Sequence, residues 1–286
     1  MSRYLIINAD DFGYNSEQTR AIDELYSQGL ISSASLMPVA PYAKAAAETA
    51  RNKNFAVGIH LTLNSDSETN RWQSVSGAKS LSDGNGLYSD QLRLALHLKR
   101  QDVAAELEAQ YNFAENAGCK IDHADNHSAT MYGINGRRFY IDAYEFCRRH
   151  SLPYRFPKSA DFIERQLGRK APSPILKLHK KIVNEGLKRN IVMLDDLVSN
   201  PWNMQRISDK DALLNYYLDA LENCREGVTE LFLHPSYPLD NTEEQGEWTK
   251  RIFEFEILKS GALLEKAKKE NIKVISWSQI KEYASE

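Results

Sequence analysis

Residues 4–13 read YLIINADDFG, an apolar run from Tyr4 to Ile7 that ends in the adjacent carboxylates Asp10 and Asp11. A run with almost no polar face is that of a strand covered on both sides. Neighbouring like charges repel, and aspartate is disfavoured inside a strand. A solvated turn would accommodate Asp and Gly. So would a division of labour, in which one acid holds a metal ion and the other moves protons. The remainder of the chain decides between them.

Short apolar runs and helical patterns alternate from this point to the other end. Asn15-Ser16 suits the cap of a helix whose Ala21, Ile22, Leu25 and Tyr26 recur at helical spacing, and Gly29 suits its close. A strand over 31–37, an alanine-rich helix ending near Asn52 and a strand over 55–63 (FAVGIHLTL) follow. Residues 64–89, rich in Ser, Asn, Asp and Gly, have no period and predict a long functional loop. Helices are predicted at 90–98 and 102–117, then a strand at KIDHADNH (120–127), a helix at 136–150 and a brief strand at PYRFP (153–157). Residues 161–189 read as largely helical with a solvated basic face, interrupted by Pro172 and Pro174. Strands at 190–199, 230–235 and 273–278 alternate with helices near 208–225 and 243–269. About eight strands, each followed by helix, predict a (β/α) barrel or a distorted version of one, with a doubly wound open sheet as the alternative. No composition break or internal repeat divides the chain, so residues 1–286 are expected to form a single domain.

The composition, 42% hydrophobic and 26% charged, is that of a soluble globular protein. A net charge of -3 gives no general attraction to nucleic acid or to an anionic membrane. Cys119, Cys147 and Cys224 form no CxxC pair, which argues against a disulfide framework or a thiolate metal site. The N-terminal apolar run is too short for a signal peptide, no run reaches membrane-spanning length, and a cytoplasmic location is expected.

In both architectures function collects at the carboxyl ends of the strands. Asp10 and Asp11 end the first strand, His60 lies late in GIHL, His123, Asp125 and His127 crowd the end of the third motif, and His234 ends ELFLH. The other histidines, His97, His150 and His179, fall in helical patterns. Two neutral imidazoles and one carboxylate leave a divalent ion open positions for water and substrate, and Asp11, His60 and His127 are the predicted trio. Period-two alternation puts His123, Asp125 and His127 on one face, which a core tolerates only with partners. Asp10 is then available as general base, Arg155 to orient it, and His234 as the acid that protonates a departing amine. An ordinary ion pair is an equally good reading of Arg155 taken alone, and a lone His60 also reads as a satisfied core histidine.

Together NADDFG, GIHLTL, the H-x-D-x-H run at 123–127, PYRFP and GVTELFLHP resemble the YdjC-like family, also known as carbohydrate or chitooligosaccharide deacetylases. The likeness extends over almost the whole chain, including the Glu106…Gln110 helix and the closing IKVISWSQI. It implies a distorted (β/α) barrel of the polysaccharide-deacetylase-like type and a divalent ion, often magnesium, whereas the donor set itself suits zinc, iron, cobalt, nickel or manganese better. It further implies removal of acetyl groups from N-acetylated sugars such as N-acetylglucosamine oligomers, often by homodimers. Asp11, His60 and His127 match the family's metal ligands, Asp10 its base, Arg155 the residue that positions the base, and His234 its acid. Three positions depart from the family pattern: Ala129 stands where histidine is common, Asn126 where serine is usual, and Ser236 where glycine is usual. The first bears on sugar preference more than on the metal. Trp72 and Tyr88 could stack on a sugar, though packing beneath the loop is the better expectation for each. Two rival functions remain: hydrolysis of another ester or phosphoester bond, for which no Gly-rich phosphate loop appears, and a sugar-binding protein without turnover.

Overall fold

A computed structural model describes residues 2–240 and 245–284. The first strand, β1 (Arg3–Phe12), is buried along nine of its ten residues and leads into α1 (Ser16–Ser27), β2 (Ser33–Leu36), α2 (Ala43–Lys53) and β3 (Ala56–Leu61). The long loop follows, then α3 (Gln91–His97), α4 (Arg100–Asn116), β4 (Lys120–Asn126) and α5 (Phe139–His150). The second half comprises α6 (Asp161–Leu167), α7 (Ser173–Leu187), β5 (Asp196–Val198), α8 (Lys210–Glu222), β6 (Gly227–Leu233), α9 (Gln245–Lys259), α10 (Ala262–Lys269), β7 (Lys273–Val274) and α11 (Ile280–Tyr283). The predicted cap of α1 is present: the Asn15 side chain accepts the backbone N–H of Gln18 at 2.8 Å.

All pairings are parallel, in the order β4-β3-β2-β1-β6-β5, with β7 paired to Tyr4 and Leu5 of β1. The ring then closes sparsely. Tyr154 bridges Ala124 of β4, and Pro157 bridges Leu194 just before β5. The chain is therefore a single α/β domain built as a distorted barrel, and the open-sheet alternative falls.

Several elements are shorter than predicted. PYRFP makes bridges rather than a strand, since Pro153 and Pro157 have no N–H to give to a ladder. The run 190–199 pairs as a strand only over Asp196–Val198, and 273–278 only over Lys273–Val274 before a turn at Trp277–Gln279. The helix predicted over 243–269 is two helices divided at Gly261, whose φ of 75° belongs to the left-handed region; residues 243 and 244 lie outside the described residues.

Behind the site, the His123 ring stacks on Trp277 at 4.6 Å, and Gly58 lies against it. A Cβ at position 58 would collide with the His123 ring. Among the described residues no helix is long and apolar enough to cross a membrane.

Candidate metal centre

The tandem aspartates sit where β1 stops being regular. Its register with β2 shifts between Ala9 and Phe12, and Asp11 has a φ of 64°. Successive side chains of a regular strand point to opposite faces. The irregularity turns Asp11 so that both carboxylates serve one region: Asp11 groups with His60 and His127, while Asp10 lies near His60 and Asp125. Holding a non-glycine residue in the left-handed region costs about 1–3 kcal/mol, a strain typical of functional turns.

Asp11 Oδ1 lies 3.2 Å from His60 Nε2 and 3.4 Å from His127 Nδ1. It is buried and accepts no hydrogen bond from any described residue. The far nitrogen of each ring is already held: His60 Nδ1 meets Asp125 Oδ1 at 2.8 Å, and His127 Nε2 meets Asp66 Oδ1 at 2.7 Å. A carboxylate on the far nitrogen fixes the tautomer and leaves the near nitrogen with its lone pair, which is how histidine is prepared for a metal. The other Asp11 oxygen, Oδ2, accepts from Arg251 Nη1 at 2.9 Å. Three donor atoms thus converge, one of them a buried oxygen without a hydrogen bond, and the set fits a divalent ion.

Without an ion, protons take up part of the negative charge. Burial opposes ionisation of Asp11, but contact with His127 and His60 and the charge of Arg251 outweigh it and hold the carboxyl well below its usual range. Burial likewise disfavours the His60 cation, but Asp125 and Asp11 overcome this and push the ring up to about 10. His127 also moves upward, as Asp11 and Asp66 outweigh its burial.

Asp10 is held differently. Arg155 Nη1 and Nη2 donate to its two oxygens, each at 2.7 Å, and Asn8 Nδ2 adds a bond of 2.8 Å to Oδ1. The same guanidinium pairs with Asp125 at 2.9 Å and Glu230 at 2.7 Å. Burial would favour loss of the Arg155 proton, but the charges of Asp10, Asp125 and Glu230 keep it firmly cationic. His234 Nε2 stands 4.0 Å from Asp10 Oδ2, with about a third of the side chain (31%) exposed. Desolvation pulls its pKa below the ordinary imidazole value, Asp11 opposes this, and Arg251 reinforces it. Asp10, Asp11, His60, His127, Arg155 and His234 thus come together at the carboxyl ends of β1, β3, β4 and β6, next to the bridge at Tyr154, whereas His123 does not.

The model of the family described as YdjC-like protein matches residues 4–269. The chain belongs to the YdjC-like family. It is 26% identical over 283 residues to a carbohydrate deacetylase of Thermoanaerobacter pseudethanolicus, covering 98% of this chain and all of that one. It is 26% identical over 268 residues to a chitooligosaccharide deacetylase of Proteus mirabilis, covering 92% of this chain and 93% of that one. An Enterococcus faecalis crystal structure, described as a cellobiose-phosphate cleavage protein, shares the fold with a TM-score of 0.76 at 23% identity, over 98% of this chain and 99% of that one.

Some residues of this YdjC-like site escaped the sequence reading. Glu230 lies inside the apolar run of β6, and a charge there was the available signal. Asp66, in the long loop, and Arg251, in the aromatic pattern of α9, gave none. The loop itself is anchored by the buried Glu106, whose carboxylate accepts from the backbone N–H groups of Val75 and Ser76, each at 2.9 Å, and from the hydroxyls of Ser74 and Ser76 at 2.5 and 2.6 Å. Gln110, one turn later, bonds Thr62 beyond β3 at 3.0 and 2.7 Å. The face predicted to hold His123, Asp125 and His127 divides its tasks. His123 belongs to the core, Asp125 backs His60, and His127 begins the turn after β4, where Ser128 and Ala129 adopt φ of 52° and 53°. Trp72 and Tyr88 are buried, as packing required.

Proposed function

We propose that this chain is a metal-dependent carbohydrate deacetylase that removes acetyl groups from N-acetylated sugars such as N-acetylglucosamine oligomers. The observation that carries the reading is the unbonded Oδ1 of Asp11 between two imidazoles, with Asp10 and His234 beside it. The names of the full-length relatives supply the substrate class. One domain carries the reaction, and the 64–89 loop contributes Asp66.

A divalent ion held by Asp11, His60 and His127 would polarise the acetyl carbonyl and acidify a water molecule. Two imidazoles and a carboxylate suit zinc-like ions better than magnesium, which prefers oxygen ligands. Asp10 accepts the proton as water adds to the carbonyl carbon, with its plane set by the two bonds from Arg155. His234, 4.0 Å from Asp10 Oδ2 and made a stronger acid than a free imidazolium by desolvation, serves as the general acid. It delivers a proton to the amide nitrogen as the C–N bond breaks, and acetate and the amino sugar part.

The test is mass spectrometry of N-acetylated mono- and disaccharides incubated with enzyme and either zinc or magnesium, beside simple esters and phosphomonoesters. Asp10→Asn is expected to keep the metal and lose about 10²- to 10⁴-fold in rate. His60→Ala is expected to lose both metal and activity. A fully active Asp10→Asn enzyme would remove the base from the mechanism.

A further inference from the structure

The site has a charged side, made by Asp10, Arg155 and His234, and a side lined by rings. On the second, His60 and His127 are 5.4 Å apart, His127 and Trp72 5.3 Å, Trp72 and Tyr14 5.7 Å, and Tyr14 and Trp248 5.6 Å. Arg251 closes the arc. Its guanidinium lies 4.5 Å from the Trp248 ring and 5.2 Å from Tyr14, while Nη1 binds Asp11.

His60, His127 and Trp72 are buried, so Tyr14 and Trp248 are the rings of this arc with accessible surface. Both are tethered by their polar atoms. The Tyr14 hydroxyl donates to Asp66 Oδ2 at 2.9 Å and accepts from Asn70 Nδ2 at 2.7 Å. The Trp248 indole N–H donates to Ser236 Oγ at 2.8 Å, and the fully buried Ser236 hydroxyl donates in turn to the Tyr237 carbonyl at 2.9 Å. A pyranose ring has an apolar C–H face and a polar edge. Immobilised aromatic surface next to a few convergent polar groups is the kind of wall such a ligand requires.

We propose that Tyr14 and Trp248 form the platform for the sugar ring, with Ser236 as a positioning residue that acts through Trp248. The identity of the ligand rests on the deacetylase reading. Arg251 lies against both rings and binds Asp11, so a sugar on this platform lies beside the proposed ion's ligands. A glycine at position 236 would have no hydroxyl to orient the indole. The alternative role for Trp248 is to cap Arg251. Its loss would then loosen Asp11 and weaken the ion's site.

The experiment uses the zinc-loaded enzyme and the N-acetylglucosamine dimer. Trp248→Ala is expected to raise KM about tenfold while kcat and zinc affinity, from chelator competition, stay within about twofold. Trp248→Phe, which keeps a ring but not the tethering N–H, and Ser236→Gly should both fall between Trp248→Ala and wild type. An unchanged KM in Trp248→Ala, or a joint loss of kcat and zinc affinity, overturns the platform. Calorimetric binding of the dimer separates this proposal from the reaction itself. A wild type that binds the sugar but releases no acetate, with binding weakened in Trp248→Ala, keeps the platform and removes the deacetylase. A wild type that binds no sugar removes the platform.

Discussion

The barrel is joined in different ways on its two sides. Along one, β1 pairs with β6 in unbroken register, Arg3 to Ala9 against Gly227 to Leu233. Along the other, the segment around 154–157 meets its neighbours at two isolated bridges. The sparse side nonetheless carries Arg155, whose guanidinium reaches Asp10 on β1, Asp125 on β4 and Glu230 on β6. A few backbone hydrogen bonds hold this side, among them Arg155 N–H to Ala124 O at 2.9 Å and Tyr154 N–H to Val192 O at 3.0 Å, and one side chain supplements them. The cation that orients the proposed base also draws three staves together.

Breaking that cation should have the largest effect. Arg155→Ala leaves three buried carboxylates without their counter-charge and should cost about 3–5 kcal/mol in chemical denaturation, together with turnover. Arg155→Lys keeps the charge but not the forked geometry, so a partial loss is expected. A change in the rim should act on the ion rather than on closure. Asp66→Asn, at an exposed residue, should weaken metal affinity about 10- to 100-fold in chelator competition while leaving the metal-free melting temperature nearly unchanged. The smallest effect belongs to the ladder. Ile6→Val, at a fully buried position of β1, should cost about 1 kcal/mol and leave kcat intact. If Arg155→Ala costs no more than Ile6→Val, the contrast between the two sides is wrong.

These residues were unequally legible in the sequence. Asp10, Asp11, His60, His127 and His234 announced themselves because an ionisable group at the end of an apolar run has few structural uses. Arg155 was visible between its prolines, though its three partners were not, since burial of an ion pair is a tertiary property. The closure was legible only in outline, as a barrel with strand-like runs at 153–157 and 190–199. NIVMLDDLVS has strand-like composition, but Asp195 uses its side chain to accept the Val228 N–H at 2.8 Å, and regular pairing begins only at Asp196. Tyr14, Trp248 and Arg251 were obscured because aromatic residues next to a helix, or within one, ordinarily mean core. Only the fold showed which rings remain open.

The close fit of Gly58 against His123 limits how this chain can drift. A methyl at 58 has no room unless the imidazole behind it is exchanged for something smaller, so the two positions are free to vary only as a couple. Each lies two residues before a member of the His60–Asp125 contact. A library built on this scaffold would therefore yield viable changes at 58 chiefly in paired clones, and those clones would carry a ligand retuned from behind.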